Sequence, residues 1–110
     1  MSRSFASGRP EKLDRVDTIA DSLGAPFALP YSFSICSQFV DDIVIVSDDQ
    51  LRHSMGMLFG DMKMAVEPAC AASTAALAML RSDLKGKKVA LVFCGSNIDW
   101  MTFEKQARFS

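Results

Sequence analysis

Two short stretches most constrain what this chain can fold into: Ile43-Val44-Ile45-Val46 and Val89-Ala90-Leu91-Val92-Phe93. Both are apolar at every position, with no polar residue between. A strand with one wet face alternates polar and apolar residues, whereas a strand covered on both faces reads as an unbroken apolar run. The two runs therefore predict strands of a parallel sheet lying under helices.

The sequence between and around them has helical periods. Pro30–Phe39 carries Phe33, Cys36 and Phe39 at helical spacing. Ser47 and Gln50 have the spacing of a capping box, and Asp48 and Asp49 suit the positive end of a helix dipole. Leu51, Met55, Leu58, Phe59 and Met62 then fall on one face, with His53 off it and toward solvent. Glu67-Pro68 opens an alanine-rich stretch to Leu80 that is apolar nearly all round, predicting a helix buried on several sides. Ser82–Lys88 reads as a polar loop, and Asp99 caps a last helix in which Trp100, Phe103 and Ala107 share a face.

Strand, helix, helix, strand, helix is the order of βαβ units. The expected class is α/β: part of a three-layer αβα parallel-sheet domain, with two strands and about four helices. Residues 1–29, punctuated by Gly8, Pro10, Gly24 and Pro26, are expected to be mostly loop, with a short helical turn over Glu11–Val16. Residues 30–110 carry the βαβ portion of an incomplete domain. Two strands alone do not make a stable sheet, so the apolar surface expects partners beyond these residues.

Composition narrows the function classes. At 12.0 kDa the chain can hide about 65% of its extended surface, enough for one domain and not two. Twelve basic and thirteen acidic side chains give a net charge of -1, which argues against nucleic-acid binding. No apolar run approaches the roughly 18 residues of a membrane span, and Met1-Ser2-Arg3-Ser4 leads into no signal-like apolar region. A soluble, cytoplasmic protein is the expectation. Cys36, Cys70 and Cys94 form no CxxC pair, and the single His53 has no partner at zinc spacing. Buried free thiols in a reducing compartment are expected.

Ligands of open α/β sheets bind beyond the carboxyl ends of strands. The second run delivers Cys94, Gly95, Ser96 and Asn97 to such an end. Gly95 permits close backbone approach, Cys94 offers a weakly polar thiol, and Asn97 offers donor and acceptor. The same residues also suit an ordinary strand-to-helix turn. A cysteine nucleophile would need a histidine base, and His53 lies on an exposed helix face. Asp41-Asp42 and Asp48-Asp49 read as solvated ends or caps. Glu67, alone among apolar residues, has helix capping as its plain role.

Four motifs in order resemble one known family: Thr18-Ile19-Ala20-Asp21-Ser22-Leu23, Val40 to Asp49, Val66-Glu67-Pro68-Ala69-Cys70-Ala71-Ala72, and Val92-Phe93-Cys94-Gly95-Ser96-Asn97-Ile98-Asp99. Over about residues 4 to 108 the chain resembles the C-terminal third of the fold-type II pyridoxal-phosphate enzymes, in the threonine/serine dehydratase and serine racemase group. The resemblance implies that Cys94 faces the pyridine nitrogen of the cofactor. It implies that Gly95, Ser96 and Asn97 shape the same wall and that Glu67 lies near the cofactor and orders the site. Ser22 stands where the family's entrance motif has glycine.

The resemblance also implies what lies elsewhere. The family's Schiff-base lysine sits in a Ser-x-Lys-x-Arg-Gly context that none of Lys12, Lys63, Lys85, Lys87, Lys88 or Lys105 has. Its phosphate loop, substrate-carboxylate residues and cation ligands would precede Met1. The implied activity is dehydration of L-threonine or L-serine to a 2-oxo acid and ammonia, in an enzyme completed by a missing N-terminal part and homo-oligomeric when complete. This chain alone is then expected to be inactive. Serine racemase, another hydroxyamino-acid dehydratase, and a non-catalytic remnant or small α/β binding module are the other readings.

Overall fold

The computed structural model describes residues 1–108, so the last two residues of the expected 30–110 portion lie outside the described residues. The chain divides into two compact units, Met1–Ile45 and Val46–Ser110.

In the first unit, α1 (Ser2–Ser7) stops at Gly8, whose φ of 72° is a left-handed conformation that glycine adopts without a Cβ penalty. This helix forms where the sequence predicts only loop. The hydroxyl of the buried Ser4 accepts a hydrogen bond from the Glu11 amide at 2.9 Å. The helical turn expected over Glu11–Val16 does not form. Instead Lys12 faces Phe27 in an antiparallel bridge, Leu13 N donates to Pro26 O at 2.6 Å, and Ala28 N donates to Glu11 O at 3.0 Å. So short a helix scarcely offsets its nucleation, and the amides find partners across the chain. A 3-10 turn covers Asp21–Leu23, and α2 covers Pro30–Phe39 with proline at its start. No residue of α2 is fully buried; Phe33 meets Phe5 edge-to-face at 6.2 Å, while Tyr31 and Phe39 are exposed.

In the second unit, α3 (Asp48–Met62) begins with the expected capping box. Gln50 N donates to Ser47 Oγ at 3.3 Å, and Ser47 N donates to Gln50 Oε1 at 2.7 Å. Leu51, Met55 and Leu58 are buried, but Met62 is 55% exposed, so the apolar stripe reaches solvent one turn early. His53 is exposed as expected. Helix α4 (Pro68–Met79) packs against α3 and buries Pro68, Cys70, Ala71, Thr74 and Ala75. Ala78 and Met79 are exposed, so α4 is covered on one face rather than on several sides. Alanine on every face hides which side is meant for a neighbour. Helix α5 (Trp100–Gln106) buries Phe103, and Trp100 stacks on that ring at 6.1 Å while remaining exposed. Arg52 holds the end of α5: its Nε donates to Gln106 Oε1 at 3.0 Å and its carbonyl accepts from Arg108 N at 3.0 Å.

Among the described residues there are five α-helices and no strand, which corrects the expectation of two strands. The physical reason is that a helix satisfies its amides internally, whereas a strand must borrow a neighbour's. The second run still behaves as extended chain: Leu91, Phe93 and Gly95 are half-buried, while Ala90, Val92, Cys94 and Ser96 are exposed. That period of two is the period of a strand without its ladder. No helix among the described residues is long and apolar enough to cross a membrane.

Phe103, Met55, Leu58, Val66, Cys70, Ala71 and Ala107 form one buried cluster. Truncation of Met55 to alanine should lower the stability of this unit by about 2–5 kcal/mol, whereas the same change at Met62 should cost roughly 0.5 kcal/mol or less. Urea unfolding followed by the fluorescence of Trp100 measures both.

Candidate active-site wall

The turn Cys94–Asn97 is held at both ends by the buried cluster. Phe93 before it and Ile98 after it both pack on that cluster. Ile98 N donates to Ser96 O at 2.9 Å, closing the turn tightly. Asp99 then starts α5, its carboxylate accepting from Thr102 N at 3.0 Å. The side-chain hydrogen bond from Thr102, followed by the one from its amide, holds the Asp99 carboxyl below the ordinary aspartate value.

Glu67 meets this turn across the chain. Its amide donates to Gly95 O at 3.2 Å, and its Oε2 accepts from Asn97 N at 3.2 Å. It makes no side-chain capping bond to α4, so its carboxylate serves the turn rather than its own helix. Gly95 is required by that approach. A Cβ there would lie 2.6 Å from Glu67 Cδ, 2.7 Å from Oε1 and 2.9 Å from Cγ. The sequence suggests that Gly95 lets a ligand come close; the structure shows Glu67 occupying that space.

A cavity of about 300 Å³ opens beside the turn, lined by Met64, Ala65, Val66, Cys70, Phe93, Cys94, Gly95 and Ser96. It collects Cys94, Gly95 and Ser96 of the expected site; Glu67 and Asn97 brace the turn from outside that lining. The sequence pattern does not single out Met64, Val66, Cys70 or Phe93 as lining residues. Their signal is position: Met64 and Val66 closely precede Glu67-Pro68, and Phe93 immediately precedes Cys94. All three cysteines are free, but only Cys70 is buried; Cys36 is half-buried and Cys94 exposed. Cys94 escapes burial because it falls on the outward positions of the alternating segment.

A family profile described as "Pyridoxal-phosphate dependent enzyme" matches residues 1–95. The chain belongs to this family of pyridoxal-phosphate-dependent enzymes. Among its relatives, it is 48% identical over 106 residues to a phenylserine dehydratase of Ralstonia pickettii, covering 96% of this chain and 32% of that one. It is 35% identical over 107 residues to a serine racemase of Schizosaccharomyces pombe, covering 97% and 32%. Among solved structures it superposes on a T.th. threonine deaminase with a TM-score of 0.83 at 31% identity, covering 90% of this chain and 35% of that one. The chain therefore spans about a third of the length of the curated relatives it matches.

The cavity's lining fits one side of such a cofactor. Val66 and Phe93 give it apolar walls of the kind a flat ring packs against, and Cys94 adds a thiol able to hydrogen-bond. No lysine is among the residues that line it, so the lining suits the ring and not its reactive aldehyde.

The lowered Asp99 pKa fixes a pH dependence. A carboxyl depressed in the folded state adds stability above its unfolded value, about 3.9, and loses it as pH falls through the folded value. The start of α5 should therefore hold at neutral pH and loosen below about pH 4, and Asp99→Asn should flatten that acid response. Trp100 fluorescence against pH checks both.

Proposed function

We propose that this chain forms the C-terminal part of a pyridoxal-phosphate-dependent dehydratase of 3-hydroxy amino acids, with L-threonine or L-serine as substrate. The products are a 2-oxo acid and ammonia. The observation that supports this reading best is the braced turn Cys94–Asn97 beside an apolar cavity, in a chain whose residues 1–95 match the family. In this reading residues 30–110 belong to a three-layer αβα parallel-sheet domain of fold type II, and residues 1–29 are its connection. The missing N-terminal part supplies the cofactor's lysine and phosphate loop, and the complete enzyme is a cytoplasmic homo-oligomer.

When bound, pyridoxal phosphate supplies an electron-withdrawing ring that acidifies the α-proton of an amino acid. The residues of this chain tune and place that ring. Cys94 would be the residue that meets the ring nitrogen, with its thiol. A neutral thiol does not hold a proton on that nitrogen as a carboxylate would, so electron withdrawal stays moderate, which suits loss of a β-hydroxyl. Gly95, Ser96 and Asn97 continue the wall, and Glu67 holds it in place. No lysine of this chain stands in the cavity, so the chain by itself carries out no turnover.

A second reading has its own support. The 48% identity to a phenylserine dehydratase favours an aryl-substituted 3-hydroxy amino acid as substrate. Purified alone with pyridoxal phosphate, the chain should release no 2-oxo acid from threonine, serine or phenylserine. Co-expressed with the N-terminal two-thirds of a relative, it should restore release, and the order of rates among the three amino acids separates the two readings. Release by the isolated chain would sink the incomplete-enzyme reading.

A further inference from the structure

We propose that Glu67 is a positioning residue that fixes how Cys94 is presented to the cavity, acting through Asn97 and Gly95 rather than on a bound ligand. The proposal rests on the reading of the Cys94–Asn97 turn as a cofactor wall.

Three features of Glu67 carry it. Its amide and its carboxylate both bond to the turn, at Gly95 O and Asn97 N, each at 3.2 Å. These two bonds flank Ser96 and run from an N-cap residue whose carbonyl α4 holds, since Cys70 N and Ala71 N both donate to Glu67 O at 3.1 and 3.3 Å. Its carboxylate also fills the space above Gly95, where a Cβ would stand 2.6 Å from Cδ. Attraction at Asn97 and exclusion at Gly95 act on the two sides of Ser96 and leave the segment little freedom to twist.

The consequence falls on Cys94. It sits next to Gly95 on the exposed side of the alternating segment, while Phe93 on its other side is packed on the core. With Phe93 anchored and Gly95 clipped, the backbone at Cys94 has one direction to offer its thiol. A plain helix-capping role predicts something else: loss of Glu67 would disturb α4 and leave the turn alone.

The experiment uses the full 110-residue chain and needs no cofactor. Amide exchange at Asn97 and alkylation of Cys94 by iodoacetamide are measured in Glu67→Gln, Glu67→Ala and Gly95→Ala. Loss of one hydrogen bond of ordinary strength should speed Asn97 exchange by about tenfold in Glu67→Ala. Glu67→Gln keeps an acceptor oxygen at the same reach and should stay within about twofold of the parent chain. Gly95→Ala pushes the carboxylate off the turn and should match Glu67→Ala with Glu67 still present. Cys94 alkylation should change by about threefold or more in the same two variants, while the buried Cys70 stays slow and reports an intact core.

Unchanged Asn97 exchange and Cys94 alkylation in both alanine variants would overturn the proposal. So would a glutamine variant that behaves as the alanine one, or rapid Cys70 alkylation in both alanine variants, since Glu67 would then hold the core rather than the turn. Failure of the cofactor-wall reading looks different. It appears as no protection of Cys94 by 4'-deoxypyridoxine 5'-phosphate in the parent chain combined with an N-terminal part, whatever the Glu67 variants show.

Discussion

The packing of Phe103 against α3 and the start of α4 is the contact on which the candidate site depends. Phe103 is 1% exposed and shares its cluster with Met55, Leu58, Val66, Cys70 and Ala71. Phe93 and Ile98 lean on the same cluster from either side of the Cys94–Asn97 turn. The turn itself is largely exposed and has little apolar surface with which to hold its shape. Its geometry is inherited from the two residues that bracket it and from Glu67, which enters from the head of α4. Burial supplies the rigidity, and hydrogen bonds give it direction.

The helices around that cluster were legible because their signals are local. The Ser47–Gln50 capping box, the Leu51–Met55–Leu58 stripe and the Asp99 cap each lie within a few residues of one another, and each appears in the structure. What failed was non-local. The bonds of Leu13 to Pro26 and of Ala28 to Glu11 could not be read from either segment alone, so the sequence predicts a helical turn where an extended pair forms. For α4, the spread of alanines concealed that one face alone would be covered. Of the candidate site, the neighbourhood is legible and the construction is not: Cys94, Gly95 and Ser96 share one cavity lining, whereas nothing near Gly95 in sequence announces that its missing Cβ makes room for Glu67.

The two apolar runs show the same division more sharply. Their composition is that of strands buried on both faces, and Leu91 to Ser96 keeps a strand's alternation. No ladder forms among the described residues, because side-chain pattern sets a preference and backbone partners complete it. The apolar residues left outward tell the same story: Val92 is 75% exposed and Ile45 65%. Side chains of this kind are stable in water only at a cost of roughly 1.5–3 kcal/mol each relative to burial. The chain spans about a third of its relatives' length, and among the described residues nothing pairs with either run.

This arrangement bears on how the site could work at all. A strand end positions chemistry well because its neighbours fix it in two directions within the sheet. Here Val89–Phe93 has no such neighbours among the described residues, yet the turn that follows is still constrained through Phe93, Ile98 and Glu67. The turn beside the cavity is thus held by side-chain packing and by the amide and carboxylate of Glu67, with no strand pairing among the described residues.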